Sequence, residues 1–161
     1  MSSEFLAGVN YPHPFDELAV ELCGAAARQV CILSPALDPE AFDNPALADA
    51  LTALIRSSRQ TRVRVLVADT RGLVTRGHRL LQLARRIPSS VQIHKLAEHP
   101  QWKNETVVIC DRDGVLYKPG DSDHNGFYEP SSRASTRRHL DLFEELWRCG
   151  AEDVELRSLA L

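Results

Sequence analysis

Four segments of the chain place hydrophobic residues at helical spacing, and we predict that they form helices. The first begins near Pro14, which suits an initial helical turn, and continues through FDELAVELCGAAARQ. The second follows Asn44, a good N-cap residue, with Pro45 in the first helical position. The third runs roughly over 75–87, and the fourth over about 132–149. The polar faces of these segments are expected to point to solvent.

Short apolar runs, which are typical of buried strands, alternate with these helices. They lie at 30–33, 62–69, 91–94, 106–110 and 115–118, and a further edge strand is expected at 154–156. The runs on either side of 111–114 are joined by Asp-Arg-Asp-Gly, and Asp-Gly between apolar runs is typical of a β-hairpin. Residues 119–130 lack any periodicity and are predicted to form one long irregular loop.

This order of elements predicts the fold class. Strands that alternate with helices pair in parallel, whereas the hairpin adds an antiparallel pair. We therefore expect an α/β fold with a mixed sheet flanked by helices. Residues 1–161 are predicted to form a single domain, in which 1–13 are an N-terminal extension.

Composition and charge exclude several classes of function. The 161 residues are 43% hydrophobic and 25% charged, which is typical of a globular protein. A formal net charge of −3 gives no general electrostatic reason to bind nucleic acid or an anionic membrane. The apolar runs are far shorter than the roughly 20 residues needed to cross a bilayer. We expect no membrane association, and nucleic acid is not favoured as a partner.

The cysteines and histidines indicate a reducing, cytoplasmic setting without a bound cofactor. Cys23, Cys31 and Cys110 lie within apolar segments, where cysteine usually behaves as a small buried hydrophobe. The first residues show no basic segment followed by a long apolar one, so no secretory signal is expected. Neither residue type shows the spacing of zinc ligands, and we expect no metal site and no cofactor.

One motif suggests phosphoryl-transfer chemistry. The run from Asp111 to Leu116, DRDGVL, resembles the first motif of haloacid-dehalogenase-type phosphatases, in which two aspartates act on phosphorus with Mg²⁺. In that family the motif opens the domain, and further catalytic residues follow over a long α/β unit. Too little chain follows Gly114 here to hold such partners. The hairpin turn is the preferred interpretation, and an Mg²⁺-dependent phosphatase using Asp111 and Asp113 is the alternative.

A second resemblance covers most of the chain. It rests on the segments LSPALDP, VLVAD, GHRLLQLARR, CDRDGVLY and the pair Phe143 and Trp147. These resemble a phospholipase D-like domain of unknown function, found alone or behind GNAT-type acetyltransferases in proteobacteria. The resemblance implies one half of a phospholipase D-type fold. Because single-half members of that family pair to complete a site, it also implies a homodimer.

The same resemblance implies that the catalytic motif is degenerate. Phospholipase D enzymes use an H-x-K-x4-D motif with a histidine nucleophile and a lysine that holds phosphate. Aligning the motif on Asp111 places Asn104 at the histidine position and Thr106 at the lysine position. Without an imidazole no covalent phosphohistidine can form, so a pseudoenzyme is expected.

Seven residues are candidates for binding a ligand; they are Asp69, Arg71, His78, Arg79, Asp111, Arg137 and Arg138. The first four surround the end of a predicted strand, where ligands collect in open α/β sheets. The last two begin the final helix, where backbone N–H groups and arginines can hold an anion. In the alternative interpretation, Asp69 caps its loop, His78 is a packing residue and the arginines form a solvated face.

Three hypotheses for function follow. The leading one is a non-catalytic binding or regulatory module whose partner is a protein or an anionic ligand. The second is the Mg²⁺-dependent phosphatase described above. The third is binding of RNA or a nucleotide through the arginine cluster, which salt-sensitive association would reveal.

Overall fold

An eight-stranded mixed sheet in the order β1-β7-β6-β5-β2-β3-β4-β8 forms the centre of the protein. The computed structural model describes residues 5–157. The strands are β1 (Leu6–Val9), β2 (Gln29–Ser34), β3 (Arg62–Val67), β4 (Val91–Lys95), β5 (Thr106–Cys110), β6 (Gly114–Lys118), β7 (Gly126–Glu129) and β8 (Ala151–Glu152). The helices are α1 (Phe15–Gly24), α2 (Pro39–Phe42), α3 (Pro45–Ser57), α4 (Arg71–Arg76), α5 (Arg79–Arg86) and α6 (Arg133–Cys149), and a 3-10 helix follows at Val154–Leu156.

Strand directions define two ends of this sheet. Strands β2, β3 and β4 are parallel, and β5 runs antiparallel to β2. We call the end that carries Ser34, Val67 and Lys95 the upper end; β5 starts there and β6 finishes there. The opposite, lower end carries the turn between β5 and β6 and the start of α6. The predicted α/β class with a mixed sheet is confirmed.

Alternating strand residues bury the two faces of the sheet under different helices. On one face, Val30, Ile32 and Val65 belong to a core shared with α1, α3 and α5. On the other face, Cys31, Leu33 and Ile109 pack against Phe143 and Leu146 of α6. The second face is covered mainly by this one helix, so its flanks are open to solvent.

The same face carries a charged pair, in which Arg64 is buried beneath α6 and Glu144 of α6 is partly exposed. Arg64 of β3 is 3% exposed, and both of its terminal nitrogens donate to Glu144, at 2.8 and 2.6 Å. Its guanidinium lies 5.2 Å from the Phe143 ring centroid and 5.5 Å from that of Trp147. Hydrogen bonds from Arg64 lower the pKa of Glu144. Because a buried guanidinium needs a partner, this pair fixes the position of α6 over the sheet.

Several boundaries differ from the sequence-based prediction. The helix predicted over 75–87 is wrong in extent, because Gly77 adopts a φ of +77° and separates α4 from α5. The predicted loop over 119–130 contains strand β7, which pairs with both β6 and β1. The expected strand at 154–156 is a 3-10 helix, and β8 lies just before it.

The predicted N-terminal extension contributes to the sheet, since β1 pairs antiparallel with β7. Val9 at its end is 5% exposed and belongs to the main core.

Within residues 5–157, no helix combines the length and apolarity needed to cross a bilayer.

Candidate functional site

Asp69 and Arg71 form an exposed ion pair just beyond β3. The Arg71 guanidinium donates to the Asp69 carboxylate at 2.8 Å, and the Arg71 backbone N–H donates to it at 3.0 Å. These bonds lower the pKa of Asp69 to about 2. The Arg71 side chain is 88% exposed. The pair therefore closes its own loop.

His78 and Arg79 fix the start of α5. His78 is 2% exposed; its Nδ1 accepts a hydrogen bond from the Leu80 N–H, and its Nε2 lies 3.1 Å from the Leu37 carbonyl. Burial lowers the pKa of His78, so the ring is neutral and serves as an N-cap. Arg79 donates to the Asp43 carboxylate at 3.1 Å. Both side chains already have protein partners.

Asp111 occupies the lower end of the sheet, in the turn between β5 and β6. Its carboxylate accepts hydrogen bonds from three successive backbone N–H groups, those of Ala27, Arg28 and Gln29, at 3.0, 2.7 and 3.1 Å. Asp111 itself has a φ of +55°, a conformation that aspartate tolerates better than most residues. The carboxylate thus joins the hairpin to the turn between α1 and β2.

The hairpin differs in detail from the predicted Asp-Gly turn. The left-handed residue is Asp111, whereas Gly114 is the first residue of β6. A Cβ at Gly114 would lie 2.6 Å from the Leu22 side chain, so any larger residue there would force the buried Leu22 of α1 to shift.

The seven candidate residues therefore do not converge on one site. Asp69 follows the upper end of β3, whereas Asp111 follows the lower end of β5. Arg137 and Arg138 lie in the first half of α6, on the other side of the sheet from α5. Of the two, Arg138 lines a sizeable cavity.

The positions that correspond to the phospholipase D histidine and lysine lie at the start of β5. Asn104 is exposed with a φ of +65°, and Thr106 is 2% exposed. Directly opposite Thr106 on β6 is Lys118, so the two side chains share one face of the sheet. A lysine is thus present near this position, although it comes from the neighbouring strand.

Lys118 is held in a polar network rather than free to bind phosphate. Its Nζ lies 3.2 Å from an Asp123 carboxylate oxygen and donates to the Pro119 carbonyl at 3.0 Å. The Tyr11 ring centroid lies 5.1 Å from the same Nζ, and the Tyr11 hydroxyl donates to Asp38 at 2.6 Å. Burial and the nearby Asp38 carboxylate raise the pKa of Tyr11. Lys118 therefore already has polar partners within the fold.

A different concavity lies between α6, the segment 101–105 and the sheet, and we call it the α6 crevice. Its volume is about 540 Å³. It is lined by Leu33, Gln101, Glu105, Val107, Tyr117, Phe127, Arg138, His139 and Leu142. It exists because α6 covers β2, β5 and β6 but leaves the surface of β7 partly open.

Three aromatic rings form one wall of the α6 crevice. Tyr117 and Phe127, which face each other on β6 and β7, stack with centroids 4.9 Å apart. The His139 ring lies 5.2 Å from Tyr117 and 5.9 Å from Phe127. Flat apolar surface of this kind suits a planar ligand group.

His139 also supplies an unsatisfied polar atom. Its Nε2 is buried and has no hydrogen-bond partner among residues 5–157. Burial, together with the adjacent Arg138 guanidinium, lowers the pKa of His139, so the ring is neutral near pH 7. A buried nitrogen without a hydrogen-bond partner reduces the stability of the fold.

Sequence reasoning missed most of the crevice. Tyr117 lies on a predicted strand, but Phe127 falls in the predicted loop and His139 in the predicted final helix, where neither is expected to line a site. The available signal was the adjacent aromatic pair Phe127 and Tyr128. Turn-forming residues lie on both sides of this pair, and such a pattern is typical of a short strand.

The fold is that of the phospholipase D family. Nuc from Salmonella typhimurium, a phospholipase D family member, superposes with a TM-score of 0.65 at 16% identity, over 96% of this chain and 99% of its own. NucT from Helicobacter pylori superposes with a TM-score of 0.59 at 11% identity, over 93% of this chain and 100% of its own. Identities this low establish a shared fold and nothing about activity.

A third structure shows the same fold in a different context. TrmBL2, an archaeal chromatin protein described as showing a novel mode of DNA binding, superposes with a TM-score of 0.65 at 13% identity. The match covers 93% of this chain but 53% of TrmBL2, so this chain spans about half of that protein.

No curated protein matches the chain. Residues 11–159 match a family described as a domain of unknown function (DUF7931), and the chain belongs to that family.

Proposed function

We propose that this protein is a non-catalytic binding module with a phospholipase D-like fold, and that it binds a small anionic ligand with a planar group in the α6 crevice. The observation that carries the proposal is the engagement of Asp111. Its carboxylate accepts three backbone hydrogen bonds at the lower end of the sheet, which is a structural role.

The start of β5 supports the same conclusion. Asn104 and Thr106 offer no imidazole or amine, and the ammonium of Lys118 is paired with Asp123. A phosphodiesterase needs a nucleophile and a phosphate anchor at one place. This chain has neither group at that place, and Lys118 and Tyr11 contact each other and Asp123 or Asp38 within the fold instead.

The phosphatase alternative is disfavoured by the same hairpin. A catalytic pair of aspartates must present oxygens to Mg²⁺ and to phosphorus together. The Asp111 oxygens face backbone N–H groups, and Asp113 is exposed in the turn, with its backbone carbonyl accepting from Ser132.

The lining of the α6 crevice indicates the class of ligand. Tyr117, Phe127 and His139 provide stacking surface, and Arg138 provides a charged donor for a carboxylate or phosphate. Glu105 also lines the crevice, so the ligand must tolerate a nearby carboxylate, which disfavours polyanions such as RNA.

The proposal is tested with benzoate and phenyl phosphate as probes, using NMR chemical-shift titration of the full chain. We expect shifts centred on Tyr117 and His139, and weaker binding in Arg138→Gln. Arg137→Gln is the matched control, since Arg137 is also exposed on α6 but does not line the crevice. Absence of localised shifts for both probes, or equal loss in both variants, contradicts the assigned site.

The non-catalytic part is tested separately with p-nitrophenyl phosphate and bis(p-nitrophenyl) phosphate in the presence of Mg²⁺. We expect no hydrolysis above the buffer rate. Hydrolysis that disappears in Asp113→Asn while the variant stays folded would establish the phosphatase alternative instead.

A further inference from the structure

A second cluster of chemically reactive side chains lies at the far end of α6. His99, Glu145 and Cys149 each offer a ligand atom, and these atoms all lie within 4.8 Å of one another. Glu145 and Cys149 are four residues apart in the last turns of α6, so both project from one side of the helix. His99 comes from the segment between β4 and β5.

The position of His99 is fixed by its own turn. The His99 carbonyl accepts from the Trp102 N–H at 3.0 Å, and Nδ1 accepts from the Gln101 N–H at 3.1 Å. Trp102 is 6% exposed, and its indole N–H donates to the Glu105 carbonyl at 3.1 Å. The buried indole therefore anchors the turn that presents the imidazole to α6.

We propose that His99, Glu145 and Cys149 bind a divalent transition-metal ion, with Zn²⁺ as the best fit. An imidazole nitrogen, a thiolate and a carboxylate form a mixed ligand set that suits Zn²⁺ and disfavours Mg²⁺ and Ca²⁺, which take oxygen ligands. Zinc–ligand distances of about 2.0–2.3 Å require the ligand atoms to approach to roughly 3.3–3.8 Å of each other. The exposed Cys149 side chain has the freedom to make that adjustment.

Binding has a defined proton balance. The neutral His99 ring accepts at Nδ1 and so carries its proton on Nε2. Coordination through Nε2 moves that proton to Nδ1 and breaks the bond from Gln101; coordination through Nδ1 displaces the same bond. Cys149 loses its thiol proton to solvent as it becomes a ligand. In both cases the hydrogen bond from the Gln101 N–H to His99 is lost, so the Gln101 amide resonance should shift when the metal binds.

Two neighbours affect the site. Arg148 forms an ion pair with Glu145, and this pair competes with the metal for the carboxylate. Asp141, one turn before Glu145, lines a cavity of about 550 Å³ together with His99 and Glu145. Water or Asp141 can therefore complete a four-coordinate shell.

Metal binding would join the segment that carries His99 to α6. Gln101 and Leu142 line both this cavity and the α6 crevice, so the ion would close one end of the crevice. The metal site does not depend on the proposed function, because it rests on a separate set of side chains.

The test is calorimetric titration of chelator-treated full chain with Zn²⁺, followed by Co²⁺ spectroscopy. We expect one ion per chain, a thiolate-to-cobalt charge-transfer band and a shifted Gln101 amide resonance. Cys149→Ser should abolish the band, and both Cys149→Ser and His99→Ala should weaken Zn²⁺ binding at least tenfold. Arg148→Gln should strengthen binding, because it frees Glu145.

The matched control is His13→Ala, which removes an exposed histidine that precedes α1 and does not belong to the cluster. It should leave Zn²⁺ affinity unchanged. Circular dichroism confirms that each variant is folded. The proposal is overturned by the absence of Zn²⁺ binding at micromolar concentrations, or by one-to-one binding that survives both Cys149→Ser and His99→Ala.

Discussion

Replacing Asp111 with asparagine distinguishes a structural carboxylate from a catalytic one. Asparagine has nearly the same shape and also tolerates the left-handed conformation that Asp111 adopts, so the backbone of the turn is retained. The substitution removes the negative charge and one acceptor oxygen. The N–H groups of Ala27, Arg28 and Gln29 then share a single neutral carbonyl.

The size of the effect follows from these bonds. A hydrogen bond to a charged group contributes about 1.5–3 kcal/mol, against about 0.5–1.5 kcal/mol for a neutral one. The turn is half-buried, so water replaces part of what is lost, and we expect Asp111→Asn to cost about 1–2 kcal/mol. Asp111→Gly loses every side-chain bond without straining the backbone and should cost about 3 kcal/mol.

Thermal unfolding followed by calorimetry measures both variants. At about 2–4 °C per kcal/mol for a chain of this size, Asp111→Asn should lower the Tm by about 2–8 °C, and Asp111→Gly by more. Asp113→Asn is the control, since that side chain is exposed in the same turn, and its Tm should not change. An unchanged Tm in Asp111→Asn would refute the structural role.

Three further expectations follow from buried and exposed groups. Burial lowers the pKa of His78, so the unfolded state binds more protons than the folded state below about pH 6.5. The stability that the neutral ring contributes at pH 7 is therefore lost as the pH falls through that value. Calorimetry should show a lower Tm at pH 5.5 than at pH 7.5, and the difference should be smaller in His78→Gln. Glu144→Gln leaves the buried Arg64 guanidinium with a weaker partner and should cost about 2–3 kcal/mol in urea denaturation, an effect that an unchanged midpoint would rule out. We also expect a homodimer, since Phe5 is 56% exposed beside the edge strand β1, and light scattering that gives the monomer mass across micromolar concentrations would contradict it.

Strong local patterns made most of the fold predictable. Continuous apolar runs identified the central strands, because a strand covered on both faces needs apolar residues on both sides. Asn44 and Pro45 marked the start of α3, and the Asn44 side chain accepts from the Leu47 N–H at 2.7 Å. These signals depend on a few neighbouring residues, so no knowledge of tertiary contacts was needed.

The missed elements lack such local signals. Strand β1 is mostly exposed, and it forms because β7 offers it a partner far along the chain. The break between α4 and α5 depends on the positive φ of Gly77, which helical periodicity does not reveal. Edge strands and helix breaks are therefore set by tertiary pairing and by single backbone angles rather than by hydrophobic pattern.

The candidate sites were harder still, because each combines residues from distant segments. The α6 crevice joins β6, β7 and α6, and the metal cluster joins α6 to the turn at His99. By contrast, the adjacent pair Asp69 and Arg71 suggested a site from sequence but forms a local ion pair. Clustering in sequence indicated capping and turn contacts here, whereas the cavities arise where α6 fails to cover the sheet.

That incomplete cover links the fold to the proposed function. The upper end of the sheet carries the network of Tyr11, Lys118 and Asp123. On the other face, the Arg64–Glu144 pair holds α6 in place over β3, and the surface of β7 stays partly open. A rigid helix beside a partly uncovered aromatic strand surface is a preformed cleft, and such a cleft can bind a ligand without ordering a loop to do so.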